Sequence, residues 1–305
     1  MIDVPAAPSA AALPARRALR QRLAGNPLMV AGAILVILMV GAALLAAVLA
    51  PFPGDAGTAT HPFAVLRPPS AAHWFGTDQV GRDVLSRVLY GARISPLIAA
   101  SVLLMACAIG LPLGLAAGYF GGWLDEVIMR ITDIFLAFPA LLLALALAAV
   151  LPASLTSVTI AIAATWWPWY TRLVRGQAAS VAGRPYIDGC RALGISRRRI
   201  IFRHILPNAI TPLIVQISLD FGGVILTASA LSFLGLGAQD PTPDWGLMVS
   251  EGEAYFTTSW WVVTFPGLAI LIAAFAFNLL GDGLRDLLDP KTVDAATKPK
   301  RSLLR

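Results

Sequence analysis

Apolar residues gather in six long stretches of this chain, near 27–50, 94–118, 127–150, 154–171, 210–236 and 262–281. A helix needs about 20 such residues to cross a hydrocarbon core. The pattern therefore predicts an all-α integral membrane protein with six transmembrane helices. The fourth stretch is short and holds Pro168. On this basis the chain divides into a tail at 1–24, a first helix and loop at 25–93, a transmembrane unit at 94–291 and a second tail at 292–305. Both tails read as disordered polar or Ala-Pro segments.

Two connecting segments have patterns of their own. After a loose stretch from 51, Asp83 can cap a helix over 84–92 with Val84, Leu85, Val88 and Leu89 on its apolar side. This predicts an amphipathic helix at the membrane surface that leads into the second span. The segment 184–208 is strongly basic, with Arg184, Arg191, Arg197, Arg198, Arg199, Arg203 and His204 against the single acid Asp188. Tyr186, Ile187, Cys190 and Leu193 fall on one helical face, and Gly194 can close that helix. Ser196 can cap a second helix, which Pro207 is expected to interrupt. Two short helices at the membrane face suit docking against a cytoplasmic partner.

Charge sets the orientation. With loops assigned alternately, nineteen Lys and Arg fall on the side of the two tails and four on the other. Short translocated loops are depleted in Lys and Arg, so both termini and the 172–208 loop are expected in the cytoplasm. The first stretch, about 24 residues, exceeds a typical signal-peptide core of about 7–15 and reads as a retained span. The composition agrees: 57% hydrophobic, 13% charged, with a mean hydropathy of +0.74. The net charge of +6 is a topology signal beside apolar runs, and no nucleic-acid partner is expected. Cys107 lies in a span and Cys190 in the basic loop, so a disulfide between them is not expected. Tyr119 and Trp123 on one side, and Trp260 and Trp261 on the other, read as interfacial anchors.

Within the spans, Gly110, Gly114 and Gly118 recur every four residues and give one face without side chains. Such faces are packing seams in membranes, either within the chain or with a second subunit. Arg130 and Asp133 have the spacing of a helical ion pair, and Pro139 should kink the third span. Asp220 lies in the fifth. A carboxylate there should face the bundle or a wet cavity, where it could attract a cationic group. Alternatively it sits at the inner edge of the helix or pairs with a neighbour. The chain has no Gly-x-x-x-x-Gly-Lys-Ser/Thr loop for phosphate and no zinc-ligand spacing, and its histidines, at 61, 73 and 204, are split across two sides. No cofactor, metal or catalytic constellation is expected.

Several strings recur at fixed offsets: Phe75-Gly76-Thr77-Asp78, Gly81-Arg82-Asp83, Tyr90-Gly91-Ala92-Arg93, Asp133 through Ala137-Phe138-Pro139, Leu234-Gly235-Leu236-Gly237-Ala238-Gln239, Trp245-Gly246, and the polar end 277–290. Together they resemble the dipeptide and oligopeptide permeases of ATP-binding-cassette (ABC) importers, over roughly 25–291. Asp188-Gly189-Cys190, then Gly194, then Leu206-Pro207, is similar in spacing to the EAA loop of those permeases, although all three opening positions differ from Glu-Ala-Ala.

The resemblance implies the type I ABC importer permease fold and a subunit of the second-permease type. It implies partnership with a homologous permease, two cytoplasmic ATPase subunits that bind ATP, and an external substrate-binding protein. Residues Tyr186, Asp188, Gly189, Cys190, Arg191, Ala192, Leu193 and Gly194 would form the ATPase-coupling element, and Asp220 would lie on the pathway. Peptides are favoured over nickel chelates, because the spans contain no histidine and only Cys107 and scattered methionines as soft ligands. An ion-coupled secondary transporter is the alternative of a different class. It would require more buried ionisable residues than Asp220 and an internal repeat.

Overall fold

The computed structural model describes residues 27–288. The tails 1–24 and 292–305, their basic residues and the stop at Asp289-Pro290 lie outside the described residues. Among those described, the regular elements are helices, with one isolated β-bridge between Thr77 and Asp83. The longer ones are α1 (Pro27–Leu44), α2 (Val84–Phe120), α3 (Gly122–Leu136), α4 (Ala140–Val150), α5 (Leu155–Ala182), α6 (Pro185–Ala192), α7 (Arg197–Phe233), α8 (Trp245–Gly252) and α9 (Trp261–Leu288).

Four of these, α1, α2, α7 and α9, are each long and apolar enough to cross a membrane. The pair α3 and α4 makes a fifth if taken as one span. The two are bent by 86° where the sequence pattern predicts only a kink. Pro139 lacks the N–H that would continue the α3 ladder and sits in extended backbone at the start of α4. Helix α5 has 28 residues but is less apolar, carrying Arg172 and Arg175 in its second half. It is packed inside the bundle.

Helix α2 fuses two predicted elements. The amphipathic turn at 84–92 and the second span form one helix of 37 residues, about 55 Å long at 1.5 Å per residue. Asp83 starts it, its carboxylate accepting from the Ser86 N–H at 2.8 Å. The polar end at 277–288 likewise continues α9.

The glycine seam on α2 packs within the chain. A Cβ at Gly110 would stand 2.7 Å from the Tyr170 Cβ, one at Gly114 would stand 2.6 Å from the Thr171 carbonyl, and one at Gly118 would stand 2.5 Å from the Arg175 carbonyl. Bare backbone lets α2 and α5 touch, which is how helices gain packing energy where burial from lipid gives little. Phe221 of α7 stacks on Phe277 of α9, with centroids 3.9 Å apart. The outward faces remain apolar, with Ile37, Leu97, Leu104 and Leu271 exposed, as lipid contact requires.

The residues before α2 and after α7 form a cap at one end of the bundle. Trp245 lies over Gly91 and donates Nε1 to the Val88 carbonyl at 3.0 Å. Trp261 lies over Gly76 and donates Nε1 to the Thr77 carbonyl at 3.1 Å. Trp261 is thus a buried clamp, while Trp123 and Trp260 remain exposed as anchors would.

Candidate functional site: a basic arm, a charged cap and an acidic cavity

The arm begins at α6. Pro185 occupies its first turn, where a missing N–H costs nothing. Gly194 closes it with φ +71°, in the left-handed region. The Gly194 N–H bonds the Arg191 carbonyl at 3.0 Å and the Ile195 N–H bonds that of Cys190 at 3.1 Å, the paired bonds of a Schellman end. The four apolar residues do not share one environment. Ile187 is fully buried and Cys190 half-buried, whereas Tyr186 is exposed and Leu193 is 82% exposed. The helix anchors through Ile187 and presents Leu193 outward.

Asp188 and Arg191 pair at 2.9 Å on the exposed side, and the Arg191 guanidinium also lies 5.6 Å from the centroid of Tyr119 at the end of α2. Ala192 is exposed, and a Cβ on Gly189 would meet nothing within 4 Å. Beyond the turn, Ser196 has extended geometry, but its side chain makes no capping bond. Arg197, Arg198 and Arg199 are exposed. Pro207 does not interrupt the helix that follows. A π-turn over Ile201–Ile205 widens the backbone just before it, and α7 continues through it.

The cap at the far end of α2 holds a knot of charge. Arg82 donates to Asp78 at 2.7 Å and to Asp240 at 2.7 Å, and lies 3.6 Å from Glu251. Arg87, fully buried, lies 3.7 Å from Asp78 and 3.6 Å from Glu251, held by charge rather than by hydrogen bonds. Burial pushes the Glu251 carboxyl above its usual range, and Arg87 and Arg82 partly oppose that rise. Asp83 accepts from His73 Nδ1 at 2.9 Å, and Asp55 accepts the Asp83 N–H at 2.7 Å. Each of these acids thus has a partner within the cap.

The third feature is a cavity of about 530 Å³ lined by Ala140 of α4, Trp166, Trp169 and Arg172 of α5, and Gln216 and Asp220 of α7. Gln216 donates Nε2 to Asp220 at 2.9 Å. Trp166 and Tyr170 face the same carboxylate from α5. Arg172 pairs with Asp133 of α3, so Asp133 does not pair with Arg130, its expected partner. Arg172 had a visible signal, standing with Arg175 just past the end of a predicted span. The convergence of Trp166, Tyr170 and Gln216 on Asp220 had none, because it depends on how α5 packs on α7.

The sequence pattern described as the binding-protein-dependent transport system inner membrane component matches residues 110–294, more than half of the chain. The chain belongs to that family. This permease is also 49% identical over 275 residues to the probable D,D-dipeptide transport system permease protein DdpC of Escherichia coli strain K12, covering 88% of this chain and 89% of that protein. It is 46% identical over 279 residues to the dipeptide transport system permease protein DppC of Alkalihalophilus pseudofirmus, covering 91% and 90%. A solved chain of the MetNI methionine ABC transporter in inward-facing conformations superposes with a TM-score of 0.53 at 16% identity, over 67% of this permease and 96% of that chain. That likeness is one of fold. The permease is thus a multi-pass inner-membrane transport component with the helical fold of an ABC transporter permease.

Proposed function

We propose that this permease, with a second homologous permease, lines the path by which short peptides enter the cell, driven by ATP hydrolysis in two partner ATPase subunits. The observation that carries the reading is near-full-length similarity to two permeases named for dipeptide transport. An external binding protein delivers the substrate to the cap. The chain crosses the membrane six times, with α5 and the broken α3–α4 pair as spans, and both termini are cytoplasmic. The nineteen-to-four distribution of Lys and Arg supports that orientation.

Within 172–208, residues Tyr186 to Gly194 receive the motion of the ATPases. Exposed Leu193 and Tyr186 seat in a partner groove, and the Asp188–Arg191 pair sets the register. Closure of the ATPases then biases the bundle between two states. Asp220 lies on the pathway. The chain binds no ATP of its own.

The test is uptake in a strain lacking its other peptide importers, with di- to pentapeptides and nickel compared side by side. Peptide uptake that depends on this chain is expected. Nickel uptake without peptide uptake would remove the peptide assignment.

A further inference from the structure

Of the string Tyr90-Gly91-Ala92-Arg93, the cap uses Gly91, on which Trp245 lies. Arg93 reaches α1 instead. Its Nε donates to the Ala43 carbonyl and its Nη2 to that of Leu44 at 3.0 Å, and its guanidinium lies 5.1 Å from the centroid of the Tyr90 ring. The side chain is thereby held level with the end of α1 and directly before the second apolar stretch, which begins near 94. That level is the edge of the hydrocarbon layer at the cap end of the bundle.

The carbonyls of Ala43 and Leu44 leave guanidinium donors unused and do not balance the charge. Arg82 and Arg87, on the same stretch of chain, lie beside the carboxylates of Asp78 and Glu251. Arg93 differs from both. Among the described residues no Asp or Glu lies within ion-pair distance of it. A cation at the edge of the hydrocarbon without a counter-charge is costly, so the position favours an anion.

Arg93 also lines a groove of about 520 Å³ between α1 and α2. The other lining side chains are apolar, among them Met39, Val40 and Leu44 of α1, Leu97 of α2, and the stacked rings of Phe221 and Phe277. Val40, Leu44 and Leu97 are exposed, so the groove opens on the lipid-facing surface. Val40 stands one turn deeper than Leu44 on α1, and Leu97 one turn deeper than Arg93 on α2. The cation is therefore at the cap end and the hydrocarbon walls run inward from it. That is the layout of a phospholipid, with charge at the head and carbon below.

Other occupants fit less well. A transmembrane helix about 10–12 Å across takes up roughly 500 Å³ per turn, so the groove would seat only about one turn of it. The rim is built of Met39, Leu44 and Leu97, not of the small residues that let membrane helices approach. A zwitterionic lipid carries its own ammonium beside its phosphate, whereas an anionic one has a phosphate free to take the guanidinium fork. We propose that this groove binds an anionic glycerophospholipid, its phosphate paired with Arg93 and one acyl chain lying against Leu97, Phe221 and Phe277.

The experiment uses the complete transporter with Cys107→Ser and Cys190→Ser, partner subunits free of cysteine, and a bimane dye on Leu97→Cys. It is reconstituted in nanodiscs of phosphatidylcholine, part of which is replaced by brominated phosphatidylglycerol or brominated phosphatidylcholine. Brominated acyl chains quench the dye on contact. Half-quenching should need about fivefold less phosphatidylglycerol than phosphatidylcholine, the preference that one basic group beside a bilayer confers. A dye on Leu271→Cys, exposed but outside the lining, should show no preference. Arg93→Gln should abolish the preference at Leu97 and keep quenching by phosphatidylcholine, and Arg93→Lys should retain part of the preference. Raising the salt concentration should shrink it in the transporter with Arg93 intact, a measurement that stands even where Arg93→Gln fails to assemble. Equal quenching by the two lipids at Leu97 overturns the site. So does a preference that survives Arg93→Gln, ignores salt or recurs at Leu271. Absence of quenching by either lipid would mean that a protein segment covers the groove, and it overturns the site as well.

Discussion

At the residue scale, missing side chains matter as much as those present. Gly114 touches α5 so closely that a single methyl would stand 2.6 Å from the Thr171 carbonyl and 2.7 Å from the Val174 Cβ. Gly114→Ala should therefore push α2 from α5 and destabilise the bundle by about 1–3 kcal/mol, the usual cost of overpacking. Gly176 provides the control, because a Cβ there meets nothing within 4 Å. Gly176→Ala should leave stability unchanged or raise it by about 0.5–1 kcal/mol through helix propensity. Thermal unfolding of the two purified variants separates these outcomes, and equal midpoints would refute the seam. The four-residue glycine spacing made this face legible in the sequence. Its partner was not, since nothing in the glycines names Tyr170, Thr171 or Val174.

At the element scale, the coupling arm depends on its terminus. Gly194 holds φ +71°, which proline cannot adopt. Gly194→Pro should unlock the end of α6, and Asp188→Lys with Arg191→Glu should invert its surface pair. Both variants should insert into the membrane, since the spans are untouched, and both should lose most substrate-stimulated ATP hydrolysis in purified complexes. Normal transport would show that 184–199 is not the coupling element. The helix at 185–192, its glycine stop and the cap at Asp83 were legible because each rests on local chemistry. The passage of α7 through Pro207 was not. Ile200, Ile205, Ala209 and Leu213 are all buried, at spacings of five, four and four. Residues five apart lie about 140° apart on an ideal helix, so a 3.6-residue period cannot align Ile200 with Ile205. The π-turn between them restores a common face. Likewise, Arg130 and Asp133 satisfied a local rule, and the longer reach of Arg172 across helices won.

At the scale of the whole molecule, hydropathy gave the helical membrane class and the approximate places of the spans. It could not separate a surface helix from the span that it joins, because α2 is continuous. Sidedness rests on charge, and Cys190, half-buried on the arm, reports it. In a Cys107→Ser background, a membrane-impermeant thiol reagent should miss Cys190 in intact cells and label it in inverted vesicles stripped of the ATPases. Labelling in intact cells would invert the topology. The charged knot in the cap has a consequence for biogenesis. Arg82 and Arg87 leave the ribosome early, whereas Asp240 and Glu251 follow more than 150 residues later. Until the later acids arrive, Asp78 is the only acid of the knot available to the two arginines. The cap therefore closes only after most of the bundle has been made. A nascent chain stalled before residue 240 would display two arginines sharing the single carboxylate of Asp78 at that end, a chemical sign of incompleteness that the finished permease hides.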